Sequence, residues 1–247
     1  MSLESPASLV LGSKWPVSLF WFEFEMSTHA TNLGLGLYSI PQASRLLRMS
    51  SAKLRRWLQE DSSVVSRQVD DDTLTFLELM ELHFIKMFRD EGVSLQTVRG
   101  AAKMAAKRFR TDYPFAVRQF DTNGKTIFAT LIKESSNSRE DRVFVEDLVK
   151  GQYVFEQIAR PFFRKLEYNR THDQLALRYW PLELKGRIVL DPERNFGQPI
   201  DHPTGVSTAT IYDALLAGEE PVMVARWFDI PIEAVQRASQ FEKSLVS

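Results

Sequence analysis

Residues 38–59 (YSIPQASRLLRMSSAKLRRWLQ) constrain the fold more than any other stretch of this chain. Ser39 followed by Gln42 is a capping box, in which the hydroxyl and the amide each satisfy an orphan backbone N–H. Pro41 falls in the first turn, where its missing N–H costs nothing. Ser44, Met49 and Leu54 place small or apolar side chains five and ten residues apart, the spacing of two short helices crossed over a tight turn. Ser50 is placed to cap the second helix, which then turns Leu54, Trp57 and Leu58 inward and Lys53, Arg55 and Arg56 outward. The expected unit is a helix-turn-helix.

Its charge suggests what that unit meets. The stretch carries Arg45, Arg48, Lys53, Arg55 and Arg56 and no acidic residue, in a 247-residue chain of net charge −1. A basic helix on a neutral background attracts phosphates while the rest of the molecule stays soluble. The 51–58 helix is expected in a major groove, with Ser51, Lys53, Arg55 and Arg56 along it and Arg45 and Arg48 on backbone phosphates. Which of them reads sequence is left open by residue type alone.

Beyond this unit, residues 62–75 read as a short β-wing with its turn at Asp70–Asp72. Thr75 and Glu78 form a second capping box opening a helix over 76–89, and a further helix is expected over 95–110 with Arg99, Lys103, Lys107, Arg108 and Arg110 outward. That basic face is either a phosphate brace or a solvated surface. Asn123-Gly124 between the runs 115–120 and 126–131 predicts a β-hairpin. Residues 143–163 read as helical with a break near Gly151, and 166–168 and 175–180 as two short strands.

The last sixty residues read as a separate unit: a strand at 188–191, a Pro/Gly loop at 192–205, and helices over 208–217, 221–228 and 231–243. Ala225, Ile230 and Val235 repeat the spacing of Ser44, Met49 and Leu54. From residue 186 onward there are five basic residues against nine acidic ones, a balance of −4. Such a surface repels nucleic acid and suits a second copy of the chain or a basic protein partner, the alternative being a plain trihelical domain that packs on the rest. Asp213, Glu219, Glu220, Asp229 and Glu233 are the candidate partner-binding residues.

Composition removes several function classes. There is no cysteine, and the four histidines (His29, His83, His172, His202) show no metal-ligand spacing, so neither metal nor cofactor is expected. Glu146–Asp147 and Asp191 with Glu193 lack a matching base, and Gly34-x-Gly36 is too short for a phosphate loop, so no enzyme is expected. Residues 15–24 (WPVSLFWFEF) are apolar but too short to span a membrane and, with Glu23, ill suited to a secretory signal. Two readings of residues 1–25 stand: an extension upstream of a natural start at Met26, or an aromatic strip that docks on a partner. A cytoplasmic location is expected.

Residues 38–109 resemble a MerR-like winged helix-turn-helix domain, through YSIPQASRLLRMSSAKLRRWL, the wing, and FLELMELHFIKMFRDEGVSLQTVRGAAK in that order. Arg48 stands where that family usually has a turn glycine, and the Gly-Tyr-Arg wing segment, the long coiled coil and the effector cysteines are absent. Residues 187–241 are similar to the family called domain of unknown function 433, through RIVLDP, FGQPI, TGVSTATIYDALLAGE and VARWFDIPIEAVQRASQFE. Together the parts resemble the atypical VapB-like antitoxins. That resemblance implies a dimeric type II antitoxin that binds operator DNA with its head and holds a PIN-type ribonuclease toxin with the remainder.

The expected architecture is therefore mainly α with small β (α+β). An N-terminal extension (1–37) precedes a MerR-like DNA-binding domain (38–110). A middle hairpin/helix region for linkage or dimerisation (111–185) leads to an acidic trihelical homeodomain-like domain (186–247). The alternative function is a stand-alone MerR-like regulator with a small-molecule pocket among Phe115, Phe128, Tyr153 and Trp180.

Overall fold

Two strand-to-helix junctions, set side by side, start the structure. The computed structural model describes residues 36–59, 72–137, 142–170 and 174–246. Strand β1 (Leu37–Ser39) pairs antiparallel with β2 (Thr73–Thr75), Tyr38 opposite Leu74. Each strand runs straight into a helix: β1 into α1 (Ile40–Leu47) and β2 into α3 (Phe76–Asp90). Both capping boxes form. Ser39 N–H donates to Gln42 Oε1 at 2.9 Å and Thr75 N–H to Glu78 Oε2 at 2.7 Å, with the reciprocal bonds also made. Between them α2 (Ser51–Gln59) crosses α1, with Leu54 fully buried. The expected wing at 62–75 lies outside the described residues, apart from Asp72 and the strand Thr73–Thr75.

Arg48 closes α1 in the left-handed conformation, φ 49° and ψ 55°. This is the position where a glycine is usual, and a side chain there costs about 1 kcal/mol or more.

Helix α3 is the spine of the core. Phe84 stacks on Phe115 at 4.2 Å between ring centroids and meets Phe88 and Phe120. Helix α4 (Leu95–Phe109) turns back over it, burying Val98, Ala101, Ala102 and Ala105, with Phe109 partly buried. One continuous apolar cluster reaches from Tyr38 to Leu190. Inside it lies the carboxyl group of Glu81. Its Oε1 accepts the N–H groups of Phe115 and Ala116 at 2.7 Å each, and Oε2 is buried without a hydrogen-bond partner among the described residues. Burial pushes this carboxyl up to about 8, against the pull of the two N–H donors.

The middle region corrects two expectations. Residues 115–131 form no hairpin: Asn123 and Gly124 lie inside a single long helix, α5 (Arg118–Asn137). Gly124 is needed there for closeness, because a Cβ on it would overlap the Phe155 ring. Asn123 Nδ2 donates to Gln119 O one turn back at 2.9 Å, so the side chain that favours a turn is satisfied by the helix. The buried residues Phe120, Gly124, Ile127 and Phe128 fall at helical spacing.

The break expected at Gly151 lies further on. Gly151 sits inside α6 (Arg142–Val154), where a Cβ would come within 2.8 Å of the Phe128 ring. The α ladder instead gives way to a π turn at Phe155–Ala159, with Arg160 N–H on Phe155 O, just before Pro161 in α7 (Arg160–Phe163). Pro161 has no N–H with which to continue the ladder. The two strands expected next are present: β3 (Leu166–Tyr168) pairs antiparallel with β4 (Ala176–Tyr179).

In the tail, β5 (Ile188–Val189) pairs antiparallel with β6 (Ile200–Asp201). Three helices follow: α8 (Thr208–Leu216), α9 (Pro221–Trp227) and α10 (Ile232–Val246). Ser207 caps the first, and Gly218 (φ 96°) turns the chain into the second. Ala225, Ile230 and Val235 are all buried in a small core of their own, as their spacing predicts.

Arg48→Gly is expected to stabilise the protein by about 1 kcal/mol in urea unfolding, by relieving the left-handed strain. No gain would mean that the turn is held by something other than its backbone. The Glu81 carboxyl holds its proton in the folded chain up to about pH 8 but releases it near 4.5 when unfolded. The unfolded chain therefore binds fewer protons over that window, and stability falls as pH rises through it. Wild-type stability measured relative to Glu81→Gln should drop between about pH 4.5 and 8 and level off above. Parallel pH profiles for the two proteins would refute the assignment.

Candidate functional site

The face of α2 opposite Leu54 is the candidate nucleic-acid surface. Ser50 Oγ accepts Lys53 N–H at 3.2 Å and so fixes the start of the helix. Trp57 and Leu58 pack partly buried against the core, and Arg55 and Arg56 project into solvent. Lys53 Nζ lies 5.2 Å above the Trp57 ring, which holds it along the helix. Ser51 is half-buried in the first turn. Arg55 forms an ion pair with Asp72, at the foot of β2. Both partners are well exposed, so the pair is weak and a phosphate can displace Asp72.

The other two basic residues have a different setting. Arg45 is paired with Glu242 of α10, a carboxylate with no exposure that also accepts from Thr208 Oγ1. Arg48 is exposed and reaches Ser244 Oγ at 3.4 Å. The five cations that stand together in the sequence thus divide between an outward trio on α2 and a pair beside the last helix. On α4, Lys103, Lys107, Arg108 and Arg110 are exposed and Arg99 is half-buried.

The tail's acidity also divides. Asp191, Asp201 and Glu242 are completely buried, and each is held by an arginine: Arg178 at 2.7 Å, Arg237 at 2.7 Å, and Arg45. Of the expected partner residues, Asp213, Glu220, Asp229 and Glu233 are exposed and Glu219 is half-buried.

Between these acids lies a feature the sequence reading missed. Leu216 (67% exposed), Val222 (62%), Met223 (37%) and Trp227 (56%) are open to solvent. Val222, Met223 and Trp227 form the outward side of α9, whose inward side is Val224 and Ala225. Leu216 ends the preceding helix. A signal was available: α9 is apolar nearly all round, and a three-helix unit can cover only one side of it.

Other candidates separate. Phe115 and Phe128 are core residues, Tyr153 is exposed, and Trp180 packs with Val189 and Ile200. These four line no common cavity, which corrects the expected ligand pocket among them. Asp147 accepts Ser94 N–H at the start of α4 at 3.0 Å, and Asp191 binds Arg178 and the N–H of Glu193, so each has a structural task. Among the described residues no cluster of metal-ligating side chains occurs, and no helix is long and apolar enough to cross a membrane.

Comparison with known proteins agrees with this layout. The family model for MerR HTH family regulatory proteins matches residues 38–105. The candidate antitoxin VapB45 of Mycobacterium tuberculosis is 26% identical over 202 residues, covering 74% of this chain and 83% of that protein. The crystal structure of Rv2018 from Mycobacterium tuberculosis shares the fold, with a TM-score of 0.65 at 22% identity, over 81% of this chain and 95% of that one. The protein is thus a chain with a MerR-type helix-turn-helix head, similar over most of its length to an antitoxin-named relative.

Proposed function

We propose that this protein is the antitoxin of a type II toxin–antitoxin system. It neutralises a PIN-type ribonuclease toxin with its tail and autoregulates its operon through the head. The observation that carries the reading is the separation of two surfaces. Lys53, Arg55 and Arg56 project from α2, whereas Leu216, Val222, Met223 and Trp227 lie exposed on the tail among carboxylates. The first surface has the charge for phosphates. The second has the composition of a protein-binding hot spot, an aromatic anchor with a polar rim. A ribonuclease must surround its RNA cleft with cations, which Asp213, Glu219, Glu220, Asp229 and Glu233 would complement. The PIN class rests on the resemblance read from the sequence of residues 187–241 to domain of unknown function 433; the family-model match covers residues 38–105.

On this reading α2 enters the major groove, with Ser51, Lys53, Arg55 and Arg56 along it and Arg48 near the backbone. Arg45 serves first to join head and tail through Glu242. A homodimer in the cytoplasm would present two heads to a palindromic operator.

The test is co-expression with the neighbouring gene product, scored by growth arrest and RNA cleavage. Rescue with a co-purifying complex is expected, and toxicity that this protein leaves untouched would reject the reading. Arg55→Ala with Arg56→Ala should abolish operator binding, with neutralisation intact. Loss of both activities together would refute the division of labour. Trp227→Ala should weaken the toxin complex by about thirtyfold or more, while urea unfolding changes by no more than about 0.5 kcal/mol. Unchanged affinity would remove α9 from the interface.

A further inference from the structure

A cavity of about 300 Å³ opens where head, middle and tail meet. Its apolar walls come from Leu46 on α1, Met80 and Met87 on α3, Leu182 after β4, and Phe241 and Leu245 on α10. Its charged lining is of one sign. Arg48, Lys86 and Lys165 border it, and among the described residues no aspartate or glutamate does. Their internal ties are slight: Lys86 pairs with Asp90 one helical turn on, Lys165 Nζ donates to Pro181 O at 3.0 Å, and Arg48 reaches Ser244 at 3.4 Å. Each keeps N–H donors for another acceptor.

His83 also lines the cavity, tilted against Phe162 at 4.7 Å and edge-on to Tyr179 at 5.5 Å between ring centroids. Burial, then Lys86, Lys165 and Arg48, push its imidazole down to about 4, with Asp90 opposing. The imidazole itself is therefore neutral at pH 7, chiefly because it is buried, and adds no charge to the cavity. A space of this size with apolar walls and convergent cations matches a small ligand with an apolar body and one negative end. A cationic ligand would meet repulsion, and a neutral one would make no use of the donors that Lys86, Lys165 and Arg48 keep beyond their internal bonds.

We propose that this junction cavity binds an anion with a short apolar body, a medium-chain carboxylate being the simplest form. The anionic end lies between Lys86 and Lys165, and the chain lies along Met80, Met87 and Phe241. A ligand seated there touches α1 of the helix-turn-helix and α10 of the tail at once. The proposal does not rest on the toxin or DNA reading, although Arg48 borders both this cavity and the proposed DNA surface.

The full chain should be titrated with octanoate, and with octylamine, 1-octanol and inorganic phosphate as separate probes, by calorimetry and thermal unfolding. Octanoate at millimolar concentration should raise Tm by about 2 °C or more, and the other three should not. Lys86→Met with Lys165→Met keeps the side-chain stems and should weaken octanoate binding at least about tenfold. Leu182→Glu, at the partly exposed rim, should do the same by placing a carboxylate at the mouth, and it serves if the double variant folds poorly. No octanoate effect, an equal effect of octylamine or 1-octanol, or undiminished binding in Leu182→Glu would overturn the proposal.

Discussion

Glu242 has no solvent exposure, and a buried carboxylate is tolerable only where cations and donors surround it. It finds Arg45 from the first helix of the head and Thr208 from the first helix of the tail. The ends of three helices far apart in sequence are thereby held at one point. Tyr38 Oη donates to Gly197 O at 2.6 Å and Gln198 Nε2 to Leu37 O at 3.1 Å, so the strand that opens the head is tied to the tail as well. Removing Arg45 would leave a buried charge unanswered, which costs more than the pair itself contributes. Deleting the tail would strip partners from Arg45, Tyr38 and Arg178, so point changes separate its roles more cleanly than truncation.

The same pairing changes how charge along the chain should be read. The tail's balance of −4 counts three carboxylates that never meet solvent, two of them neutralised by Arg45 and Arg178 from earlier in the chain. What the tail shows to a partner is therefore less acidic than its composition, and more apolar. Trp227 and Val222 supply the contact area that surface carboxylates alone cannot. In the head the effect runs the same way. Only Lys53, Arg55 and Arg56 of the five clustered cations form the outward face of the second helix.

The middle region shows where local signals are outweighed. Asn-Gly favours a two-residue turn, but Gly124 stands where α5 passes the Phe155 ring, and only a residue without a side chain fits. Gly151 plays the same part against Phe128. Sequence alone suggests a turn at Gly124 and a break at Gly151, because a glycine's conformational freedom is visible in sequence and the ring beside it is not. Close packing of large aromatic side chains stabilises more than turn propensity, so the helices run through.

What sequence determined by itself is local: the capping boxes at Ser39 and Thr75, the helix-turn-helix spacing of Ser44, Met49 and Leu54, its repeat at Ala225, Ile230 and Val235, and the basic character of α2. These depend on bonds and contacts between residues only three to ten positions apart, which spacing reveals. Tertiary structure alone decided that Arg45 answers Glu242, that Gly124 and Gly151 make room for rings, that α9 turns Trp227 outward, and that three cations converge on one cavity. Each of these joins groups far apart along the chain, and burial, which sets the strength of charge and apolar contact alike, exists only once the chain has folded.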